Sequence, residues 1–159
     1  MFDVLKRKGG FTLIETIVAI AMVAILSVVV LTVFLSVNRT YHSVVEANLI
    51  MMRAESALDL IKLSVQNCGE VVITDDAGAG PEAAIWSDNG VLYYKSAGGE
   101  PYIYMEDTRF DLSFSGEGSL LQIRLGAEAG GGAYELESAA LLQNAAAIEG
   151  GGGSGIRFR

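Results

Sequence analysis

Lys6-Arg7-Lys8-Gly9-Gly10-Phe11-Thr12-Leu13-Ile14-Glu15 is the stretch whose reading decides the fold. Three cations meet a glycine pair. Behind it an almost purely apolar run extends from Phe11 to Val37, with one carboxylate, Glu15, just inside its start. From Ile17 to Val37 the only polar side chains are Ser27, Thr32 and Ser36, hydroxyls able to bond back to their own helix; Gly, Pro and charge are absent. A bilayer's hydrocarbon needs about 20 apolar residues in a helix. The helix is obligatory there because lipid offers no partner to free backbone groups. Lys6, Arg7 and Lys8 hold the N-terminal side in the cytoplasm and leave the bulk of the chain outside.

Glu15 is the anomaly in this run. A carboxylate inside a span is costly and reads as functional, with a partner to be named. No other side chain of the segment is suited to pair with it, which places the partner on another molecule. A cut between Gly10 and Phe11 would create an α-ammonium one helical turn from Glu15. The ammonium of a neighbouring copy could then neutralise the carboxylate.

At these residues the chain resembles the type IV pilin and pseudopilin family. The resemblance lies in the basic leader ending at Gly10, in Phe11, in Thr12-Leu13-Ile14-Glu15 and in the apolar helix, and it covers roughly the first third of the chain. It implies cleavage by prepilin peptidase at Gly10–Phe11, N-methylation of Phe11, and Glu15 as the carboxylate that pairs subunits during assembly. It implies further partners in other pilin or pseudopilin subunits and an inner-membrane assembly platform. The implied location is the cytoplasmic membrane, single-pass, and then an extracytoplasmic filament. Three systems stay open: a type IV pilus, type II secretion, and DNA uptake.

Two other readings compete. A secretory signal peptide has a shorter apolar core and a small-residue exit; this run is longer and lacks one. A plain signal anchor fits the hydropathy and gives the alternative function, a non-polymerising, single-span binding protein presenting an extracytoplasmic β domain. It leaves Glu15 and the Gly9-Gly10 junction without a purpose. The sole cysteine, Cys68, lies far beyond the span, so a lipid-modified N-terminus does not fit.

Composition agrees with an exported body. The 159 residues carry a net charge of −8, and removing residues 1–10 takes away three cations against one carboxylate. An acidic surface of this kind argues against direct nucleic-acid binding, which uses a basic stripe. One cysteine makes no internal disulfide, whereas many members of the family close a C-terminal loop with one. The family's main pilins often break their helix with proline near Leu31-Thr32-Val33, where this chain has no breaker. These departures point to a minor subunit. Glu15 argues against the tip-initiating one, which usually lacks the glutamate.

Four segments follow: a leader at 1–10, a transmembrane or filament-core helix at 11–37, its amphipathic continuation at 38–68, and a β-rich domain at 69–159. Val37, Tyr41, Val44, Val45, Asn48, Leu49, Met52, Leu58, Ile61 and Val65 approximate an apolar stripe of helical period. Asn67-Cys68-Gly69 reads as the stop, with Gly69 suited to a left-handed cap. Strands are expected at Val71–Ile73, Ala84–Trp86, Val91–Tyr94, Tyr102–Met105, Phe110–Phe114, Leu121–Leu125 and from Tyr134 toward Leu142. Ser87-Asp88-Asn89-Gly90 marks a hairpin, Gly116-Glu117-Gly118 a turn and Gly130-Gly131-Gly132 a loose loop. Gly150 to Gly153 reads as a flexible linker. The tail Ile156-Arg157-Phe158-Arg159 docks as a last strand or hangs free, its charge favouring docking. The fold class is α+β, one long helix on a meandering antiparallel sheet.

No enzyme is expected. His42, the only histidine, sits on the helix without an orienting partner. One Cys and one His do not make a zinc site, and the glycine runs lack the Lys-Ser/Thr of a phosphate loop. No cofactor is expected. Asp75-Asp76 and Glu106-Asp107 with Asp111 leave ordered calcium as a minor alternative.

Overall fold

The structure, a computed structural model, describes residues 12–144 and 148–159. A single helix, α1 (Leu13–Val65), runs without a break. Between those bounds there is no Pro or Gly to interrupt the backbone ladder. The chain divides into two compact units between Ser43 and Val44.

In the first unit every residue from Thr12 to Ser43 is exposed. The hydroxyls behave as the sequence suggests: Ser27 donates to the Val23 carbonyl and Thr32 to the Val28 carbonyl, each at 2.7 Å. Their polarity is absorbed by their own helix.

In the second unit the helix contributes Ile50, Ala54, Ala57, Leu58, Ile61 and Val65 to the core. That face differs from the expected stripe. Val44, Leu49 and Met52 stay exposed, and of the expected positions only Leu58, Ile61 and Val65 are buried. The strands pack on the face that carries Ala54 and Ala57 together with Ile50, Leu58, Ile61 and Val65, and Val44, Leu49 and Met52 lie off that face. Arg53 ties the helix to a loop of this unit. Its guanidinium donates to the Thr108 hydroxyl at 2.8 Å and the Asp107 carbonyl at 3.2 Å.

Among the described residues nine strands follow in this unit: β1 (Val71–Thr74), β2 (Ala83–Asp88), β3 (Val91–Lys95), β4 (Tyr102–Met105), β5 (Arg109–Glu117), β6 (Leu120–Ala129), β7 (Gly132–Leu141), β8 (Ile148–Glu149) and β9 (Gly155–Phe158). They form two sheets, in the orders β4-β3-β2-β9-β1-β8 and β5-β6-β7. All pairings are antiparallel except β1 with β8. The arrangement is α+β, but the expected single meander is replaced by two sheets. Phe110, Leu112 and Phe114 of β5 and Leu121, Ile123, Leu125 and Ala127 of β6 alternate inward and share one core with the helix face and with Ile85, Leu92 and Ile156 of the larger sheet.

The hairpin β2–β3 turns on Asn89-Gly90 at φ 50° and 82°, the left-handed pair of a type I′ turn. The turn expected at 116–118 is shorter, because β5 holds its ladder to Glu117 and only Gly118-Ser119 connect it to β6. The loop expected at 130–132 is likewise Gly130-Gly131, and Gly132 already pairs with Ala129.

Two features depart further from the sequence reading, and a third, the docked tail, follows the favoured alternative. Gly69 does not take the left-handed conformation. The last-turn carbonyls of Lys62 and Val65 accept from the Gln66 and Cys68 amides, at 3.0 and 3.2 Å, and past the helix end the amides of Gly69 and Glu70 both donate to the Arg159 carbonyl, at 2.8 and 3.3 Å. Residues 150–153 are not a free linker, since Gly153 and Phe114 exchange both backbone hydrogen bonds, at 3.2 and 2.8 Å. The tail docks in the middle of the larger sheet, with β9 paired to β1 on one side and β2 on the other. Buried Ile156 and Phe158 drive this insertion, and Arg157 and Arg159 find Glu82 and Glu70.

Candidate functional site: the helix N-terminus and the head surfaces

Gly10 and Phe11 lie outside the described residues. Glu15 lies within them, in the first turn of α1. Thr12 stands at the N-cap. Its amide and its hydroxyl both donate to Glu15 Oε2, at 3.0 and 2.9 Å, while the Glu15 amide donates back to Thr12 Oγ1 at 3.3 Å. This is a capping box, in which residues three apart satisfy each other's orphan donors. It corrects the expectation that Glu15 lacks a partner within the chain. The signal is present in the sequence as Thr-x-x-Glu ahead of an apolar run. One Glu15 oxygen is engaged by Thr12, and the carboxylate as a whole is exposed.

The helix beyond is long and apolar enough to cross a membrane. Leu13, Ile17, Ile20, Val23, Leu31 and Phe34 are all more than half exposed within the chain. So much unburied apolar surface has a large free-energy incentive to enter lipid or pack against other helices.

His42 is exposed, its ring edge-to-face with Tyr41 at a centroid distance of 6.1 Å. Cys68 is half-buried. Its thiol donates to the Ser64 carbonyl at 2.9 Å, and burial pushes its pKa up. Two of the carboxylates considered for calcium have other partners. Asp75 accepts from the Ser154 amide and hydroxyl, at 2.9 and 3.1 Å, and Asp107 lies 3.9 Å from Arg53. Among the described residues no three His, Cys, Asp or Glu side chains gather as a metal group.

Two constructions in the second unit had no legible sequence signal. The first is the 75–81 loop, which folds back over the outer face of the larger sheet. Ala77 is buried there, and a Cβ on Gly155 would come within 2.6 Å of the Ala77 Cβ and 2.7 Å of the Trp86 Cβ, so only glycine fits. Lys95 donates to the Gly78 and Gly80 carbonyls, and Arg157 to the Ala79 carbonyl at 3.3 Å. Two cations thus pin three successive carbonyls. Trp86 stacks on Tyr93 beside the loop, centroids 5.2 Å apart.

The second is the outward face of β5-β6-β7. Arg124 sits between Glu135 at 3.5 Å and Glu137 at 2.5 Å. The hydrogen bond that Arg124 donates to Glu137, then the charges of Glu137 and Glu135, raise the Arg124 pKa. An open groove of about 820 Å³ runs past Arg109, Asp111, Arg124, Glu128 and Glu135.

No curated relative and no solved structure matches the chain. One family model does, over residues 5–33, described as the prokaryotic N-terminal methylation motif. With that motif running into a long exposed apolar helix, the chain carries the type IV pilin signature.

Proposed function

We propose that this chain is a structural, non-enzymatic filament subunit, a minor pilin or pseudopilin processed by prepilin peptidase. The observation that carries the reading is the methylation motif at residues 5–33, continuous with a helix whose apolar side chains from Leu13 to Val37 find no cover among the described residues. Cleavage at Gly10–Phe11 and methylation of Phe11 would leave the helix anchored in the cytoplasmic membrane. Assembly would then transfer the apolar surface from lipid to neighbouring helices. Glu15 would pair with the α-ammonium of a neighbouring Phe11, keeping its Thr12 contacts and using its free oxygen. The unbroken helix and the absence of a disulfide support a minor role. A pilus, a type II secretion pseudopilus and a DNA-uptake pseudopilus fit equally.

The capping box favours a second reading, the single-span anchor, because it gives Glu15 a purpose in one copy of the chain. Glu15→Gln separates the two. Glutamine is accepted at this capping position and keeps an oxygen for Thr12, but it has no charge. For a filament subunit, Glu15→Gln should leave the membrane level and the mass starting at N-methyl-Phe11 unchanged and deplete the protein from sheared filaments. Equal incorporation of Glu15→Gln and the parent would reduce Glu15 to a cap. An unprocessed Met1 terminus in cells holding the peptidase would sink the pilin reading.

A further inference from the structure

The smaller sheet ends on a long open edge. Strand β7 runs for 10 residues, pairs with β6 along its whole length, and has no strand on its other side among the described residues. A strand edge presents a row of unpaired N–H and C=O groups, a template for another extended chain. Most of β7 is exposed or half-buried, so its backbone is within reach of such a chain. The outward face of β7 carries Glu135 and Glu137, two positions apart and therefore on the same side. Glu128 and Asp111 add carboxylates on neighbouring strands of that face, in register with Ala133 and, through Gly126, with Glu135. Two cations share that face against these four carboxylates: Arg109, in register with Glu128, and Arg124, which serves both Glu135 and Glu137.

These charges select the occupant. A second copy adding its own β7 would bring Glu135 and Glu137 against the same pair, and like charges across strands repel. The other sheet's edge strands, β4 and β8, are no better, being followed by Glu106-Asp107 and ending at Glu149. Strand β9 does carry alternating arginines, but β1 and β2 already hold both its edges. It also shows that the fold uses this chemistry, since Arg157 and Arg159 of that segment meet Glu82 and Glu70.

We propose that the free edge of β7 is a docking site for an extended segment of a different protein with Lys or Arg at alternate positions. Main-chain bonds would add it as a fourth strand, and its basic side chains would lie beside Glu135 and Glu137 on the outward face. The inference does not depend on the filament reading, because it concerns the head alone.

The test uses the full chain in detergent and three synthetic peptides. One alternates lysine with valine, one replaces each lysine with glutamate, and one keeps the lysines but is N-methylated on alternate backbone nitrogens. The lysine peptide should bind, weaken with added salt, and slow amide exchange within residues 132–141 by about tenfold or more. The glutamate and N-methylated peptides should do neither. Glu135→Lys with Glu137→Lys should reverse the preference toward the glutamate peptide, and Glu135→Gln with Glu137→Gln should weaken lysine-peptide binding without reversal. Equal binding of the N-methylated peptide would mean charge attraction without strand addition. Absence of protection on β7 would mean the carboxylates serve only to keep that edge from pairing. Either result overturns the proposal.

Discussion

Replacing Ile61 by alanine asks whether the second half of the long helix is part of the head's core or a stalk attached to it. Ile61 is 0 % exposed and shares its core with Phe110, Leu112 and Ile123. The substitution removes three carbons. At about 0.8 kcal/mol for each buried carbon the transfer loss is about 2.4 kcal/mol, and the cavity brings the expected cost to about 3–4 kcal/mol, within the usual range for such deletions. Leu63, two residues on, is 71 % exposed, so Leu63→Ala should cost no more than about 0.5 kcal/mol. The chain's one tryptophan, Trp86, is stacked on Tyr93 in the larger sheet and reports the head without labelling. Guanidinium unfolding of the full chain in detergent, followed by Trp86 fluorescence, should show a clear fall in midpoint for Ile61→Ala. On heating, the loss should be about 10–15 °C for a unit of this size. Leu63→Ala should overlay the parent. If the two variants shift the Trp86 transition equally, the helix face is not part of the head's core, and the packing argument fails.

Gly155→Val should undock the 75–81 loop, because the new Cβ meets the Ala77 and Trp86 Cβ atoms at 2.6 and 2.7 Å. A cost of about 1–3 kcal/mol with red-shifted Trp86 emission is expected, and unchanged emission would refute the loop's fit. Cys68 should alkylate more slowly in the native protein than in denaturant at about pH 8, since burial raises its pKa. The sign follows from linkage: the unfolded thiol ionises first, so stability is level below the unfolded pKa and falls as pH rises through it toward the folded one. Iodoacetamide labelling read by intact mass measures the difference. Gly10→Val should block processing, seen as retention of the leader in the membrane-fraction mass.

Much of the fold was legible because its signals are local. The absence of Gly and Pro from Leu13 to Val65 was enough to expect one helix, and its apolar half declared a span. Asn89-Gly90 announced its hairpin through the positive φ that only a few residues accept. Phe110, Leu112 and Phe114 showed the face of β5 by alternation alone. Glu15 and Thr12 were legible too, as a capping box, though the carboxylate's oddity in a span drew attention to partners elsewhere.

The sequence by itself therefore determined the helix, most of the strands, the tight turn at Asn89-Gly90, and the motif that assigns the N-terminus. Tertiary structure decided what those elements face and whom they pair with. Periodicity states that a helix has an apolar side, but Val44, Leu49 and Met52 are as apolar as Ile50 and Ile61. The strands that share a core with Ile50, Ala54, Ala57, Leu58, Ile61 and Val65 selected the buried face. Four residues at 155–158 hold too little pattern to name their neighbours. Only the gap between β1 and β2, flanked by apolar Ile73 and Ile85 and by Glu70 and Glu82, placed β9 in mid-sheet. Strand pairing is a contact between distant parts of the chain, so its partner is chosen by the completed core and not by local sequence.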